Sequence, residues 1–263
     1  MSAAEEMRVR RPTAGGPSKA RAVSGALAVT LIALPSAVVA QSRDLQSVWI
    51  IEPTVVPPGE RALASGEFVL KQRLLPIGLA ELEGPVTAGK ETLPSGSQLV
   101  KVQTSAAKVF CVPDLPKKVF WTTCLIDADN DGSFEAWDEG FTRTRSILMV
   151  SGKYPKKPKP IEPARYREVS PTSMRSVYFV GIERRNWFNI YSRESFTIAY
   201  GSEGRLERLT TPISFKTNEM PRELTVLGAR FTAISEQDGK MLVRVSQAMP
   251  LQPFAVTVTT TYR

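Results

Sequence analysis

Oxygen-bearing side chains recur at alternate positions from residue 127 onward, and this spacing is the clearest chemical signal in the chain. The candidate ligands for one cation are Asp127, Asp129, Asp131, Ser133 through its backbone carbonyl, Glu135 and Asp138. Carboxylate and carbonyl oxygens are the ligands that a hard cation such as Ca²⁺ prefers, and carboxylates crowded together without a cation repel one another. Gly132 permits the sharp turn that a side chain would obstruct. The pattern therefore predicts a calcium site within residues 127–138.

Residues 127–138 resemble the calcium loop of EF-hand proteins. The aspartate in the last position makes them more similar to the dockerin-type loops of exported proteins. The resemblance implies carboxylate ligands at the first, third and fifth positions, a carbonyl at the seventh, and an apolar anchor at the eighth, which is Phe134. Two features depart from the pattern: Asp138 is shorter than the usual glutamate, and residues 118–126 predict a strand where an EF-hand has a helix. We therefore expect a weak structural site; the alternative is a solvated acidic turn without an ion.

The chain contains no histidine. This excludes Ser-His-Asp and Cys-His nucleophilic mechanisms and histidine-ligated zinc sites. It leaves open hydrolysis by a pair of carboxylates, for which Glu135, Asp138 and Glu139 are candidates, although ion ligation accounts better for the first two. We expect a non-enzymatic module, with a secreted glycosidase-like hydrolase as the alternative.

Residues 1–40 predict a secretory signal peptide. A basic, small-residue segment precedes an apolar run over 23–40, and the small residues Val38 and Ala40 are typical of a cleavage site after Ala40. The alternative is an uncleaved anchor, because residues 22–40 are just long enough to span a bilayer. We expect a disordered leader and an exported protein, periplasmic or secreted, that contacts the membrane only if the leader is retained.

The two cysteines, Cys111 and Cys124, predict a disulfide, since an even count in an exported chain is typical of one. The bond would fix the strand that leads to Asp127. The alternative is a pair of buried free thiols.

The hydrophobic pattern predicts a mainly β protein with antiparallel, sandwich-like sheets in one or two lobes. We expect a β-rich lobe over 41–150, a Lys/Pro linker over 151–160 and a second sandwich-like lobe over 161–263. The linker segment is alternatively a surface loop of one larger sandwich, or a cationic patch for an acidic surface. Part of the formal net charge of +8 lies in residues 1–40, and the remaining +5 is modest and scattered, so nucleic acid is not an expected partner.

A hairpin is predicted at Asp238–Gly239, which joins two apolar runs. A three-residue loop with a left-handed Gly239 would place Phe231 opposite Val245 and Ala233 opposite Val243. A two-residue turn would place Phe231 opposite Ser246 and mix the faces, so the first register is expected.

A possible ligand patch combines arginines with aromatic residues that could stack on sugars or bases: Arg184, Arg185, Trp187 and Tyr191. The alternative is that these aromatics belong to the core of a sheet. Together the patterns predict an exported β module that binds an unidentified envelope or extracellular partner.

Overall fold

The computed structural model describes residues 43–56, 58–114, 120–142, 144–185, 193–209 and 212–256. The predicted leader, residues 1–40, lies outside this part. The strands are β1 (Asp44–Ser47), β2 (Trp49–Ile51), β3 (Glu60–Leu63), β4 (Phe68–Pro76), β5 (Leu79–Leu82), β6 (Val86–Ala88), β7 (Glu91–Leu93), β8 (Gln98–Gln103), β9 (Lys108–Cys111), β10 (Trp121–Asp127), β11 (Ser133–Phe141), β12 (Ser151–Lys153), β13 (Lys159–Val169), β14 (Tyr178–Arg184), β15 (Arg193–Ser202), β16 (Arg205–Arg208), β17 (Ile213–Lys216), β18 (Arg222–Val226), β19 (Ala229–Gln237), β20 (Lys240–Gln247) and β21 (Gln252–Phe254). Short 3₁₀ turns lie at Pro171–Ser173 and Thr217–Glu219. The prediction of a mainly β, antiparallel fold is confirmed.

Six of the strands close into an antiparallel barrel, because β8 pairs with both β5 and β9. Around the ring the order is β8, β9, β10, β11, β13 and β5. Successive residues of a strand point to opposite faces, so alternate side chains fill the interior. The interior side chains include Leu82, Leu99, Phe110, Leu125, Phe134, Trp137 and Tyr166. Closure removes the free edges of these strands and fixes which face of each strand is inside.

The β6–β7 hairpin contributes three further apolar side chains to the barrel core. Its Glu91 accepts a hydrogen bond from Thr123, near the start of β10. The acidic loop follows the opposite end of β10. Strands β1 and β12 extend the barrel sheet outward from β8.

Two further antiparallel sheets share one apolar core with the outer face of the barrel. One has the order β16-β15-β14-β4-β2-β21, with β17 also paired to β15, and the other has the order β18-β19-β20-β3. Phe196 of the first sheet contacts Phe231 of the second with ring centroids 5.0 Å apart. These sheets correspond to the sandwich-like element that the pattern predicted.

Strands from both predicted lobes pair with one another. β4 pairs with β14, β2 with β21 and β3 with β20, while β13 completes the barrel. The predicted linker segment, residues 151–160, supplies β12 and the first residues of β13. Both ends of the segment therefore belong to strands of the barrel sheet, β12 paired with β1 and β13 paired with β11.

The hairpin at Asp238–Gly239 has the predicted central register but a different turn. Phe231 lies opposite Val245 and Ala233 opposite Val243, as expected. The turn itself has two residues, both with positive φ, and a one-residue bulge between Ala233 and Ser235 shifts the register. The predicted three-residue loop was therefore wrong. The extra residue lies in the bulge within β19 and not in the turn, and it gives the same pairing of Phe231 with Val245.

Candidate metal centre

The acidic loop is a tight connection within a β-hairpin. Asp127 is the last residue of β10 and Ser133 is the first of β11. Asn130 and Gly132 have φ values of 65° and 90°, a region that asparagine and glycine tolerate better than other residues. The strand predicted before the loop is confirmed, and the chain also leaves the loop as a strand. We call residues 127–135 the acidic hairpin.

Asp127 is a completely buried carboxylate, with 0% of its surface exposed. Its Oδ2 accepts a hydrogen bond of 2.7 Å from the Tyr166 hydroxyl and one of 3.2 Å from the Gly132 backbone N–H. Its Oδ1 is also buried and has no hydrogen-bond partner in the described part of the chain. Buried polar atoms are almost always paired, so a water molecule or a cation is expected at this oxygen.

Two further carboxylates converge on Asp127. One oxygen from each of Asp127, Asp129 and Glu135 lies within 4.8 Å of the others. Oxygens that bind one Ca²⁺ at about 2.3–2.6 Å can be at most about 5 Å apart, so the cluster has the dimensions of a calcium site.

Glu135 lies at an irregularity in the pairing of β11 with β13. Phe134 lies opposite Ala164 and Ala136 lies opposite Pro160, so residues 161–163 of β13 span the single residue Glu135 of β11. Glu135 Oε1 accepts a hydrogen bond of 2.5 Å from the Ala128 backbone N–H and so lies over the loop.

Asp131 and Ser133 have local roles in the hairpin. Asp131 Oδ1 accepts a hydrogen bond of 2.7 Å from the Ser133 backbone N–H, and Asp129 Oδ1 accepts one of 3.2 Å from the Asp131 N–H. These contacts hold the turn closed. Asp131 is not among the three acids that converge, and Ser133 lies opposite Arg165 in the barrel sheet.

Asp138 is not brought to the cluster, which corrects the prediction that it closes the coordination sphere. It lies directly opposite Cys124, in the middle of β11. From Glu135 to Asp138 the chain runs three residues along an extended strand, which covers about 10 Å and turns the side chain to the opposite face. Three residues of helix would have brought Asp138 back to the same face as Glu135. The resemblance to an EF-hand loop therefore does not extend past Glu135.

Tyr166 is a site residue that the sequence pattern did not identify. Its ring stacks on Phe134 with centroids 4.1 Å apart and an interplanar angle of 13°. Burial raises the pKa of Tyr166, and its hydrogen bond to Asp127 raises it further, so the hydroxyl remains a donor. Phe134 is completely buried, which confirms the predicted apolar anchor. The only signal for Tyr166 in the sequence was that it is an aromatic residue between two arginines, Arg165 and Arg167.

The predicted disulfide is confirmed: Cys111 and Cys124 are bonded. They lie directly opposite each other on β9 and β10, and both are buried. Gly140 of β11 packs against the sulfur of Cys124, where a Cβ would be only 2.5 Å from it. The bond fixes β10 three residues before Asp127.

Arg184 cannot take part in the possible ligand patch, because it is completely buried. Its guanidinium donates two hydrogen bonds, of 3.0 and 3.1 Å, to Glu194 and two more to the carbonyls of Leu63 and Gly239. It therefore joins the two sandwich sheets and is not available to a ligand. Arg185 pairs with Glu183 at 3.2 Å, and Trp187 and Tyr191 lie outside the described residues.

Asp138 and Glu139 do not form a carboxylate pair on one face. A cavity of about 180 Å³ between β12 and the outer face of β10–β11 is lined in part by both residues, with Trp121 and Phe141 beside them. Because successive residues of a strand point to opposite faces, only one of the two carboxylates can point into this cavity.

Searches against protein-family models, curated proteins and solved structures found no match to this chain. No helix in the described part of the chain has the length and apolar character needed to span a membrane.

Proposed function

We propose that this protein is an exported β-rich structural or binding module whose acidic hairpin holds a calcium ion. The observation that supports this most directly is the buried Asp127 carboxylate, since among the described residues Oδ2 has two donors and Oδ1 has none. A buried acceptor left unpaired costs about 1–3 kcal/mol, and ligation of a cation would remove that cost. Asp129 and Glu135 supply the other two charges.

Calcium suits this set of ligands better than magnesium does. Ca²⁺ accepts six to eight oxygens in flexible geometry, whereas Mg²⁺ requires a nearly ideal octahedron and usually keeps several waters. Asp127 is buried, Glu135 is partly exposed and Asp129 is exposed, so the three ligands differ in mobility. The ion would bind both ends of the loop, at Asp127 on β10 and Glu135 on β11, and so stabilise this end of the barrel.

The disulfide supports the proposal of export. Disulfides persist in oxidising compartments outside the cytoplasm. Calcium sites of extracellular modules have dissociation constants of roughly 0.1–1 mM, which suits a site with three carboxylate side chains from the protein.

The position of the mature N-terminus tests whether the leader is cleaved on export. Mass spectrometry should give a first residue at or near Gln41, and a mature protein that retains residues 1–40 would contradict cleavage.

Calorimetric titration of metal-free protein with calcium tests the site. We expect a dissociation constant on the order of 0.1–1 mM for the wild type and no measurable binding by Asp127→Asn. Asp138→Asn is the matched control, because it makes the same chemical change on β11 outside the cluster. An Asp127→Asn variant that binds like the wild type, or an Asp138→Asn variant that loses binding, would refute the assigned ligands.

A further inference from the structure

The segment between β12 and β13 carries a group of exposed lysines. We call residues 153–159 the lysine loop; its cations are Lys153, Lys156, Lys157 and Lys159. Among the described residues, the first three form no ion pair, and Lys159 Nζ lies 4.4 Å above the ring of Trp137. Pro155 and Pro158 fix φ within the loop, so the cations are held on a restricted backbone, which lowers the entropy lost on binding.

The lysine loop flanks the acidic hairpin. Lys159 lies opposite Trp137, two residues from Glu135 on the neighbouring strand. The lysines nevertheless do not pair with the acids of the hairpin in the described structure, so the two groups of opposite charge lie side by side.

A bound calcium ion would change the charge of this surface. The four carboxylates of the acidic hairpin, including Asp131, carry −4 together, and Ca²⁺ leaves −2 beside four lysines. Ca²⁺ accepts six to eight oxygens, so three protein carboxylates can leave coordination positions open. Asp129 is exposed and lies on the solvent side of the cluster. Oxygens of an outside anion therefore have room to reach the ion next to the lysine loop.

The N-terminal chain enters the described fold at the same place. Asp44, the first residue of β1, pairs with Lys153. Residues 1–43 precede it and include the apolar run over 23–40. The proposed cleavage after Ala40 leaves three residues between the mature N-terminus and Asp44, so this face would be released at the bilayer surface; a retained run would tether it there. A bilayer is therefore the anionic surface that this face meets first.

We propose that the lysine loop and the calcium-loaded acidic hairpin form one docking surface for a bilayer of anionic phospholipid, with a headgroup phosphate completing the calcium sphere. The proposal rests on the proposed calcium site. Lysines near an anionic membrane each strengthen binding severalfold, and calcium reduces the repulsion between the acidic hairpin and the lipid phosphates.

Sedimentation with vesicles tests the surface. The exported protein is mixed with phosphatidylglycerol/phosphatidylcholine vesicles or with phosphatidylcholine vesicles, in calcium or in chelator. We expect binding to the anionic vesicles in calcium and weaker binding in chelator. Lys153→Gln/Lys156→Gln/Lys157→Gln should lower the partition coefficient by on the order of a hundredfold.

A second triple variant controls for net charge. Lys216→Gln/Arg230→Gln/Lys240→Gln removes the same charge from exposed basic residues of the sandwich sheets and should bind nearly like the wild type. Equal losses in the two triple variants would overturn the docking surface. Calcium-dependent binding to dextran sulfate but not to vesicles would also overturn it, in favour of an anionic polysaccharide.

The calcium titration separates this proposal from the proposed function. If calcium binds but vesicles do not, the docking surface is wrong and the calcium site stands. If calcium itself does not bind, both proposals fail.

Discussion

Replacing Asp127 by asparagine should have opposite effects on stability with and without calcium. Asparagine has nearly the same shape and keeps an oxygen that can accept from the Tyr166 hydroxyl, but it removes the buried charge. Two charges up to 4.8 Å apart repel by about 1–3 kcal/mol at effective dielectric constants between those of water and a protein surface. Because Asp127 repels both Asp129 and Glu135, the metal-free variant should be at least as stable as the metal-free wild type.

Calcium should reverse this order. At about 10 mM calcium and a dissociation constant of roughly 0.1–1 mM, the wild type gains about 1.4–2.7 kcal/mol by mass action. For a chain of this size that corresponds to a rise of roughly 3–10 °C in the unfolding temperature. Asp127→Asn should gain almost nothing, because it loses the ligand at the base of the site.

Thermal unfolding followed by circular dichroism, in chelator and in calcium, measures both effects. Asp138→Asn should keep the full calcium-dependent rise, since Asp138 lies opposite Cys124 and away from the cluster. A wild type whose unfolding temperature does not respond to calcium would refute the reasoning. A rise in Asp127→Asn equal to that of the wild type would also refute it.

Three further predictions concern the rest of the fold. Arg184→Ala should destabilise the protein by about 3–5 kcal/mol in denaturant titrations, because it leaves a buried carboxylate without its partner; a loss below about 1 kcal/mol would contradict the buried pair. Reduction of the disulfide, which joins residues 13 apart, should cost about 3 kcal/mol in the same assay, and an unchanged midpoint would contradict this. Burial and carboxylate neighbours raise the pKa of Tyr166, Tyr178 and Tyr200, so stability should fall as pH rises above the unfolded value of about 10. Phenolate absorbance should then rise in two stages, the second coinciding with unfolding, and a single stage before unfolding would contradict the raised values.

The sequence predicted the part of the site that depends on local spacing. Asp127 and Asp129 are two positions apart within one turn, and Gly132 has the left-handed φ that such a turn needs. Asp138 was assigned wrongly because its position depends on whether the chain leaves the loop as helix or strand. Tyr166 was missed because it comes from a strand 39 residues further along the chain.

The ligand patch shows a second limit of local composition. Arginines beside aromatics are typical of a binding surface, but the sequence does not show that Glu194 lies within reach of Arg184 inside the core. The two strands that carry them pair along their length, and this pairing places the carboxylate next to the guanidinium. Burial of an arginine is expected only where such a partner is present.

Barrel closure determines which way the metal site faces. Leu125 points into the barrel while Cys124 and Ile126 point out, so the alternation of β10 also turns Asp127 inward, to where Tyr166 donates to it. A shift of one residue in the pairing of β10 would expose Asp127 and bury its neighbours. The disulfide at Cys124 prevents that shift, because it fixes β10 against β9 at a single register. The inward position of the Asp127 carboxylate is therefore a consequence of how the barrel closes, and the acidic cluster and the disulfide depend on the same strand register.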